Sequence, residues 1–454
     1  MIRSKAIIDK TEVVAENGVV TAMHPLAAEA GAEILQQDGN ATDAAIATAF
    51  AVGVVEPFMS GLGGAAYGMV YDADTKQTTT FDGAVVVPRA GREDMFALSP
   101  SSQKGSGAYG WRSTLGDAAE TGYRSVLVPG AVATYAKMLE MFGTMTLGQV
   151  MAPAIRLAAE GFFVDWYVFA NCAAALQRLR PFPHIMSVFY KPNGLPFKTV
   201  NHDDIGNADR LVQTDLAKTM ERIAADGPEV FYQGEIGQAI ARHVSENGGT
   251  ITEQDMADYE VRIREPLRVN YRGYHIEMIS ENSGGPSVAQ MFNILEGFDL
   301  AGFGHNSARS LHVIGEAMRL AFADRFAHLG DPAFDPIPLT GLQCKAYAAA
   351  RRQAIDVRRG PVAAPVGDPW SFQPGGRPAS GALRTGGDYA DQHTTHLSVI
   401  DGERNMVSLT ASLLQRGEGI LMQRQPQGPF DIVAVMAHVF QYLVVIGEQR
   451  QQVP

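Results

Sequence analysis

A Thr-Thr-His triplet at the start of a predicted strand is the part of the sequence best suited to covalent chemistry. Residues 392–401 read QHTTHLSVID, and they follow residues 357–393, which hold five prolines and seven glycines. Threonine favours strands, so the triplet can simply be the point where a linker enters a strand. Alternatively, chain cleavage before Thr394 would give this residue both a hydroxyl nucleophile and a free α-amine. An α-amine has a pKa of about 7.7–8.0, so it can act as the base near neutral pH.

A glycine-rich segment, GLGGAA at residues 61–66, is the second candidate for a functional role. It is similar to the dinucleotide-binding fingerprint, but that fingerprint follows a strand and opens a helix. Here a predicted helix precedes the glycines and a predicted strand follows them. We therefore expect a tight turn that lets the backbone approach another element closely, in a loop lining a catalytic cleft.

The composition and the charge of the chain exclude some classes of binding partner. The 454 residues are 46% hydrophobic, and 37 basic residues against 49 acidic ones give a formal net charge of -12. There is no long basic run, so we expect neither nucleic acid nor an anionic membrane surface as a partner. The apolar run 432–446 is shorter than the roughly 18 residues that cross a bilayer. The first 18 residues contain no apolar signal segment, so we expect a soluble, cytoplasmic protein.

Metal and cofactor sites are not indicated by the sequence. The two cysteines, Cys172 and Cys344, have no neighbouring metal-ligand spacing and are expected to be buried thiols. The histidines His305, His312 and His328 are scattered, so we assign them structural roles. The chain contains neither an H-E-x-x-H nor a G-x-S-x-G motif. We expect no metal and no cofactor.

The hydrophobic periodicity predicts a mixture of helices and strands. The chain opens with a strand, a helix and a second helix made of small apolar residues, which should be buried on most sides. A hairpin follows, then helices dominate residues 130–260, and a long amphipathic helix precedes the Pro/Gly-rich segment. We interpret residues 357–393 as a mobile linker and residues after 393 as a second strand pair. The pattern indicates an α+β or layered α/β architecture.

Several segments, taken together and in order, resemble the gamma-glutamyltransferase (gamma-glutamyl transpeptidase) family of N-terminal-nucleophile hydrolases. They include HPLAAEAGAEIL, VVEPFMSGLGG, LVPGAVATYAKMLEMFG, SGGPSVAQMFNILEGFDL and TTHLSVID, and the similarity runs from about Val19 to Leu413. The resemblance implies an α+β fold, specifically a four-layer αββα sandwich. It also implies a precursor that cuts itself between His393 and Thr394. Thr394 would then attack a substrate amide and form an acyl-enzyme ester, which water or an acceptor amine resolves.

The resemblance also implies a division of the chain. Residues 1–356 correspond to the large-subunit region, residues 357–393 to the linker before the cleavage site, and residues 394–454 to the small-subunit region. Ser412 takes the place of a second hydroxyl residue that supports the nucleophile in the family. From about residue 414 the tail is atypical, and the small-subunit region is expected to be truncated, with the C-terminal part of the fold incomplete.

One departure from the family concerns the acyl group. The family holds the substrate α-carboxylate with an arginine, but in the corresponding stretch FDGAVVVP that place is taken by Ala84, and Val85 replaces the neighbouring acid. Arg89 and Arg92 remain candidates for replacing the missing guanidinium. A gamma-glutamyl amide, or another acyl amide such as a glutaryl amide, is therefore the expected small-molecule substrate.

Two functions remain open from the sequence. The first is a self-cleaving transferase or hydrolase whose large and small chains, cut from one precursor, stay paired. The second is a catalytically inactive family fragment that lacks the oxyanion-hole and substrate-binding half of the small subunit. Self-cleavage distinguishes the two, because it requires Thr394 in a correctly formed fold.

Overall fold

The structure is a computed structural model that describes most of the chain outside the two termini. The described residues are 13–92, 94–100, 114–199, 208–279, 283–334, 336–359, 364–377 and 394–413, together with the backbone of a strand at 444–446. His393, at the predicted cleavage site, and most of the tail predicted to be atypical lie outside these ranges.

The described strands fall into a large sheet, a small sheet and a two-stranded pair. They are β1 Gly18–Thr21, β2 Ala65–Asp72, β3 Gln77–Gly83, β4 Phe162–Phe163, β5 Arg210–Leu211, β6 Arg262–Arg264, β7 Leu267–Tyr271, β8 Tyr274–Met278, β9 Thr395–Asp401, β10 Met406–Ser412 and β11 Val444–Ile446.

The helices lie mainly between β3 and β9 in the chain. They are α1 Pro25–Gln36, α2 Ala41–Val55, α3 Ala131–Phe142, α4 Leu147–Glu160, α5 Trp166–Leu179, α6 Pro183–Phe189, α7 Thr214–Asp226, α8 Glu229–Tyr232, α9 Glu235–Glu246, α10 Glu253–Ala257, α11 Gly285–Leu295, α12 Leu300–Phe303, α13 Ala308–His328, α14 Leu339–Gln343 and α15 Lys345–Arg352.

The large sheet has the strand order β1-β9-β10-β2-β3-β6, and all of its neighbouring strands are antiparallel. The β9–β10 hairpin therefore occupies the middle of the sheet, although among the described strands only β11 follows it in the chain. Leu397, Val399 and Leu409 lie on one face of this hairpin and are buried in the main core with α2. Alternation of buried and half-buried residues along β9 is the pattern of a strand with one face on a core.

Helix α2 is the centre of that core. All 15 of its residues are buried, as predicted from its small apolar composition. It begins with a capping box in which the Asn40 side chain accepts from the Asp43 backbone and Asp43 accepts from the Asn40 N–H. The N-cap, Asn40, lies directly before the first residue of the helix. Asp43 also binds the Thr144 N–H and hydroxyl, which ties α2 to the end of α3.

The opposite face of the large sheet faces the small sheet. Tyr67 and Met69 of β2 form a buried cluster with Ile279, which directly follows β8. The small sheet has the order β11-β8-β7, and its other face packs on α11, which in turn packs on α13 and α15. The layers are thus helices, sheet, sheet and helices, and the predicted αββα sandwich is confirmed.

Part of the predicted linker is packed against the body of the protein. Residues 364–377 include a 3₁₀-helix at Pro369–Phe372. The Gly367 N–H donates to Asp324 Oδ1 at 2.7 Å, and its carbonyl oxygen lies 2.9 Å from His328 Nε2. These contacts attach the segment to α13, so this portion does not behave as an open linker.

The remaining predictions for single elements can be placed as well. Of the apolar run 432–446, the described part is β11, which pairs with β8 at the edge of the small sheet. Cys172 and Cys344 are both free thiols, the first buried and the second half-buried. Among the described helices, none combines the length and the apolar character needed to span a bilayer.

Candidate active site

Thr394 and Ser412 lie side by side at the open end of the β9–β10 hairpin. The antiparallel register pairs Thr395 with Ala411, and continuing it by one residue places Thr394 opposite Ser412. Residues that face each other across antiparallel strands project to the same side, with Cβ atoms about 4.5–5.5 Å apart. Thr394 is half-buried and Ser412 is 2% exposed. The structure thus brings together the predicted nucleophile and the predicted supporting hydroxyl.

The same register extends across the sheet to the position of the missing arginine. Ser412 pairs with Ala65, and the β2–β3 register, which pairs Ala66 with Gly83, puts Ala65 opposite Ala84. Thr394, Ser412, Ala65 and Ala84 therefore form one row on the face that looks toward the small sheet. Ala84 itself packs with the buried apolar cluster around Tyr67.

The two arginines considered as replacements are engaged elsewhere. Arg89 forms an ion pair with Asp258, and Arg92 lies 3.0 Å from Asp94. Their side chains are 65% and 73% exposed. Neither contact directs a guanidinium toward Ala84.

A neutral histidine lies one row further along the hairpin, on the same face as Thr394. His396 Nδ1 is 2.9 Å from Thr410 Oγ1, and its Nε2 is 3.1 Å from Ser398 Oγ. Burial lowers the pKa of His396 to about 4, so the ring is uncharged at neutral pH. A neutral imidazole donates one of these hydrogen bonds and accepts the other, so it bridges the two strands next to the nucleophile. From the sequence, His396 was noted only as part of the Thr-Thr-His triplet and was given no role of its own.

The glycine-rich loop lies against the end of β10. A Cβ atom on Gly64 would lie 2.5 Å from the Ser412 carbonyl oxygen, so only glycine fits there. The Gly64 carbonyl oxygen accepts from the N–H groups of Gly130 and Ala131, each at 2.9 Å. The Leu413 N–H donates to the Met59 carbonyl at 2.9 Å. The close approach predicted from the glycines is therefore present, and it holds Ser412 in place.

A buried glutamate lies on the other side of the hairpin. Glu56, directly after α2, is 2% exposed, and its carboxyl faces the Thr395 hydroxyl. Burial raises the pKa of Glu56 to about 7; the Thr395 contact lowers it and the charge of Asp165 raises it further. The sequence analysis missed this residue, although a single acid within an apolar run was a visible signal.

No metal site is formed by the described part of the chain: it contains no group of three or more His, Cys, Asp and Glu side chains arranged to hold an ion. The groups present at the row are hydroxyl groups, a neutral imidazole and backbone amides. A threonine whose side chain lies beside a second hydroxyl can act as a nucleophile once a base is supplied.

The sequence and the fold match those of known proteins. The family described as Gamma-glutamyltranspeptidase matches residues 27–425. The glutathione hydrolase proenzyme of Bacillus subtilis (strain 168) is 35% identical over 412 residues, covering 90% of this chain and 66% of that protein. The acylase ACY 1 proenzyme of Pseudomonas sp. (strain V22) is 36% identical over 411 residues, covering 89% and 67%. The chain thus spans about two thirds of the length of these relatives.

Solved structures share the fold. The crystal structure of Helicobacter pylori gamma-glutamyltranspeptidase superposes with a TM-score of 0.70 at 32% identity, covering 80% of this chain and 97% of that chain. A cephalosporin acylase from Bacillus halodurans gives a TM-score of 0.75 at 27% identity, covering 95% and 71%. On the sequence match and the shared architecture, this chain belongs to the gamma-glutamyltranspeptidase family.

Proposed function

We propose that this protein cuts its own chain between His393 and Thr394 and then uses Thr394 to transfer or hydrolyse an acyl group carried on an amide. The observation that carries the proposal is the register that sets Thr394 beside Ser412 at the end of the hairpin. Membership in a family whose relatives include glutathione hydrolase and acylase proenzymes supports it. The alternative is an inactive family fragment.

The cleavage step needs only groups of the chain and one water molecule. Thr394 Oγ1 attacks the carbonyl carbon of His393, the C–N bond breaks, and the hydroxyl proton passes to the nitrogen, which becomes the α-amine of Thr394. Water then hydrolyses the resulting ester and leaves a carboxylate on His393. Ser412 supports the attacking oxygen with a hydrogen bond.

Catalysis repeats this chemistry on a substrate. The α-amine takes the proton of Thr394 Oγ1 while the oxygen attacks the amide carbonyl, and the proton passes to the leaving amine. The ester on Thr394 is then attacked by water or by an acceptor amine. Each cycle returns the free hydroxyl and the free amine.

The two chains produced by cleavage remain paired. β9 and β10 lie between β1 and β2 in the large sheet, and their inner face is buried against α2. The small chain would therefore supply central strands to a sheet built otherwise from the large chain. Removing them would break two strand interfaces and expose the core.

The acyl group that best fits the row has no α-amino acid head. Ala84 and Val85 present apolar surface where the family has a charged pair, and a hydrogen bond to a charged group is worth about 1.5–3 kcal/mol. A glutaryl or similar acyl amide does not need that contact, whereas a gamma-glutamyl amide does. The relative named an acylase supports the wider substrate class.

An intact-mass spectrum of the purified full chain tests the proposal. Two masses, for residues 1–393 and 394–454, are expected, and a Thr394→Ala variant is expected to give a single mass. A Thr394→Ser variant keeps a hydroxyl and is expected to cleave, although at a different rate. A single mass for the unaltered chain supports the inactive fragment, and cleavage of the alanine variant excludes Thr394 as the nucleophile.

A further inference from the structure

Glu56 and Thr395 form a buried polar pair under the hairpin that carries Thr394. Thr395 is 1% exposed and Glu56 2% exposed. The two side chains interact closely enough for the Thr395 hydroxyl to lower the pKa of the carboxyl. Nevertheless, Glu56 Oε2 and Thr395 Oγ1 both lack a partner at full hydrogen-bond geometry among the described residues. The contact is therefore longer or less well aligned than a formed hydrogen bond, and a small movement would complete it.

The surroundings of Glu56 favour its neutral form. The charge of Asp165, the N-cap of α5, also opposes ionisation of Glu56. Asp165 is itself 3.8 Å from His24 Nε2, just before α1. On the loop side, the Ser60 hydroxyl is also buried and unpartnered among the described residues. No cation among these groups balances a charge on Glu56, and burying an unpaired carboxylate is costly.

Adjacent residues of a strand project to opposite faces. Thr395 points toward α2 and Glu56, and Thr394 points toward the small sheet in the row with Ser412. If the Thr395 side chain is held on the core face, the rotation of the first residues of β9 about the strand axis is fixed. The direction of the Thr394 hydroxyl on the other face is then fixed as well.

We propose that Glu56 is a positioning residue for Thr394, acting through the Thr395 hydroxyl, and this inference rests on the proposed function. In its ionised form the Glu56 carboxylate accepts from the Thr395 hydroxyl and anchors the first residue of β9, because the Thr395 contact favours the ionised form. In its neutral form the carboxyl holds the hydroxyl less tightly, and the anchor loosens. The precursor has no α-amine on Thr394, so the base of the mature enzyme does not obscure the effect during self-cleavage.

The effect of Glu56 ionisation on self-cleavage is measured as a ratio of rates. The rate of the unaltered chain is divided by the rate of a Glu56→Gln variant at each pH. Glutamine keeps an acceptor oxygen and never ionises, so the ratio of the unaltered rate to the variant rate is expected to be near one at pH 5.5. It is expected to rise about tenfold as the pH rises through about 7, which corresponds to the added strength of a hydrogen bond to a carboxylate. A Glu56→Ala variant lacks the acceptor and should be slow at every pH. A ratio that does not change with pH overturns the inference.

A double-mutant cycle on stability separates this inference from the proposed function. The changes Glu56→Gln and Thr395→Val are measured singly and together by urea unfolding of the Thr394→Ala precursor, which cannot cut itself. Non-additive effects support the Glu56–Thr395 pair, and a Thr395→Ser variant should keep most of the coupling. Additive effects overturn the inference whether or not the chain cuts itself. If the unaltered chain is not cut but the two substitutions are still coupled, the proposed function is excluded and the Glu56–Thr395 pair is supported.

Discussion

Thr394 and Ser412 face each other at the open end of the central hairpin, on the face opposite to the main core. A slip of one residue in the β9–β10 register would turn Thr394 away from Ser412 and expose Leu397 and Val399, which are at most 1% exposed. The buried face of the hairpin therefore specifies the pairing of the two hydroxyls on the other face.

Ser412→Ala is expected to slow self-cleavage about fivefold, because it removes one hydrogen bond of about 1 kcal/mol from the attacking hydroxyl. Ser412→Thr keeps the hydroxyl and should restore most of the rate. The measurement is the appearance of the 394–454 mass with time. An alanine variant that cleaves at the unaltered rate contradicts the supporting role of Ser412.

Two glycines of the same loop give a matched test of its contact with β10. A Cβ on Gly64 would lie 2.5 Å from the Ser412 carbonyl and 3.1 Å from a Leu413 methyl group, whereas nothing lies within 4 Å of a Cβ on Gly61. Gly64→Ala is therefore expected to displace the end of β10 and strongly reduce self-cleavage. Gly61→Ala should leave the rate nearly unchanged. Equal rates for the two variants would show that the loop does not position Ser412.

Much of the hairpin and of α2 could be predicted from local sequence. Alternation in THLSVID and a turn around residues 402–405 indicate two paired strands, and an unbroken run of small apolar residues indicates a helix buried on all sides. The glycines at 61–66 indicated a close backbone approach, which Gly64 makes. In each case the cause is local, because periodicity and side-chain size act over a few residues.

The residues that sequence reasoning missed depend on contacts between distant segments. The pKa of Glu56 is raised chiefly because the fold buries its carboxyl, and Thr395 and Asp165 act on it only because the fold brings them close. Residues 364–377 have the composition of a linker, but their position depends on Asp324 in α13. Composition carries no information about such partners, and this is why the segment was predicted to be mobile.

Ala84→Arg is expected to move substrate preference toward gamma-glutamyl amides. A guanidinium at the end of the row can pair with the substrate α-carboxylate, and a charged hydrogen bond of about 1.5–3 kcal/mol corresponds to a gain of roughly tenfold or more in relative kcat/KM. The rates on gamma-glutamyl and glutaryl anilides measure the ratio. Ala84→Met adds similar length without charge, so an equal gain in that variant contradicts an electrostatic role.

Asp324 is expected to be a major contributor to stability. It is fully buried, accepts from the Tyr347 hydroxyl at 2.7 Å, and lies 2.9 Å from Arg351 Nε. Asp324→Ala leaves the buried Arg351 without a counter-charge, which costs about 3–5 kcal/mol. Urea unfolding of the Thr394→Ala precursor measures the loss. The control is Asp368→Ala, because Asp368 is 58% exposed in its pair with Arg377 and its removal should cost at most about 1 kcal/mol. Similar losses for both variants contradict the buried network.

His396 is expected to make the protein acid-sensitive between about pH 6.5 and pH 4. Burial lowers the pKa of this histidine from 6.5 to about 4, so in that window the unfolded chain binds a proton that the folded chain does not. Stability therefore falls as the pH is lowered through the window, and the full contribution is present above pH 6.5. His396→Gln in the Thr394→Ala background should flatten this part of the stability curve, even if its overall stability is lower. His305→Gln removes a histidine from the exposed surface and should keep the slope of the parent. An unchanged slope after His396→Gln would mean that the ring is protonated equally in the folded and unfolded chains, and that a neutral imidazole does not bridge β9 and β10.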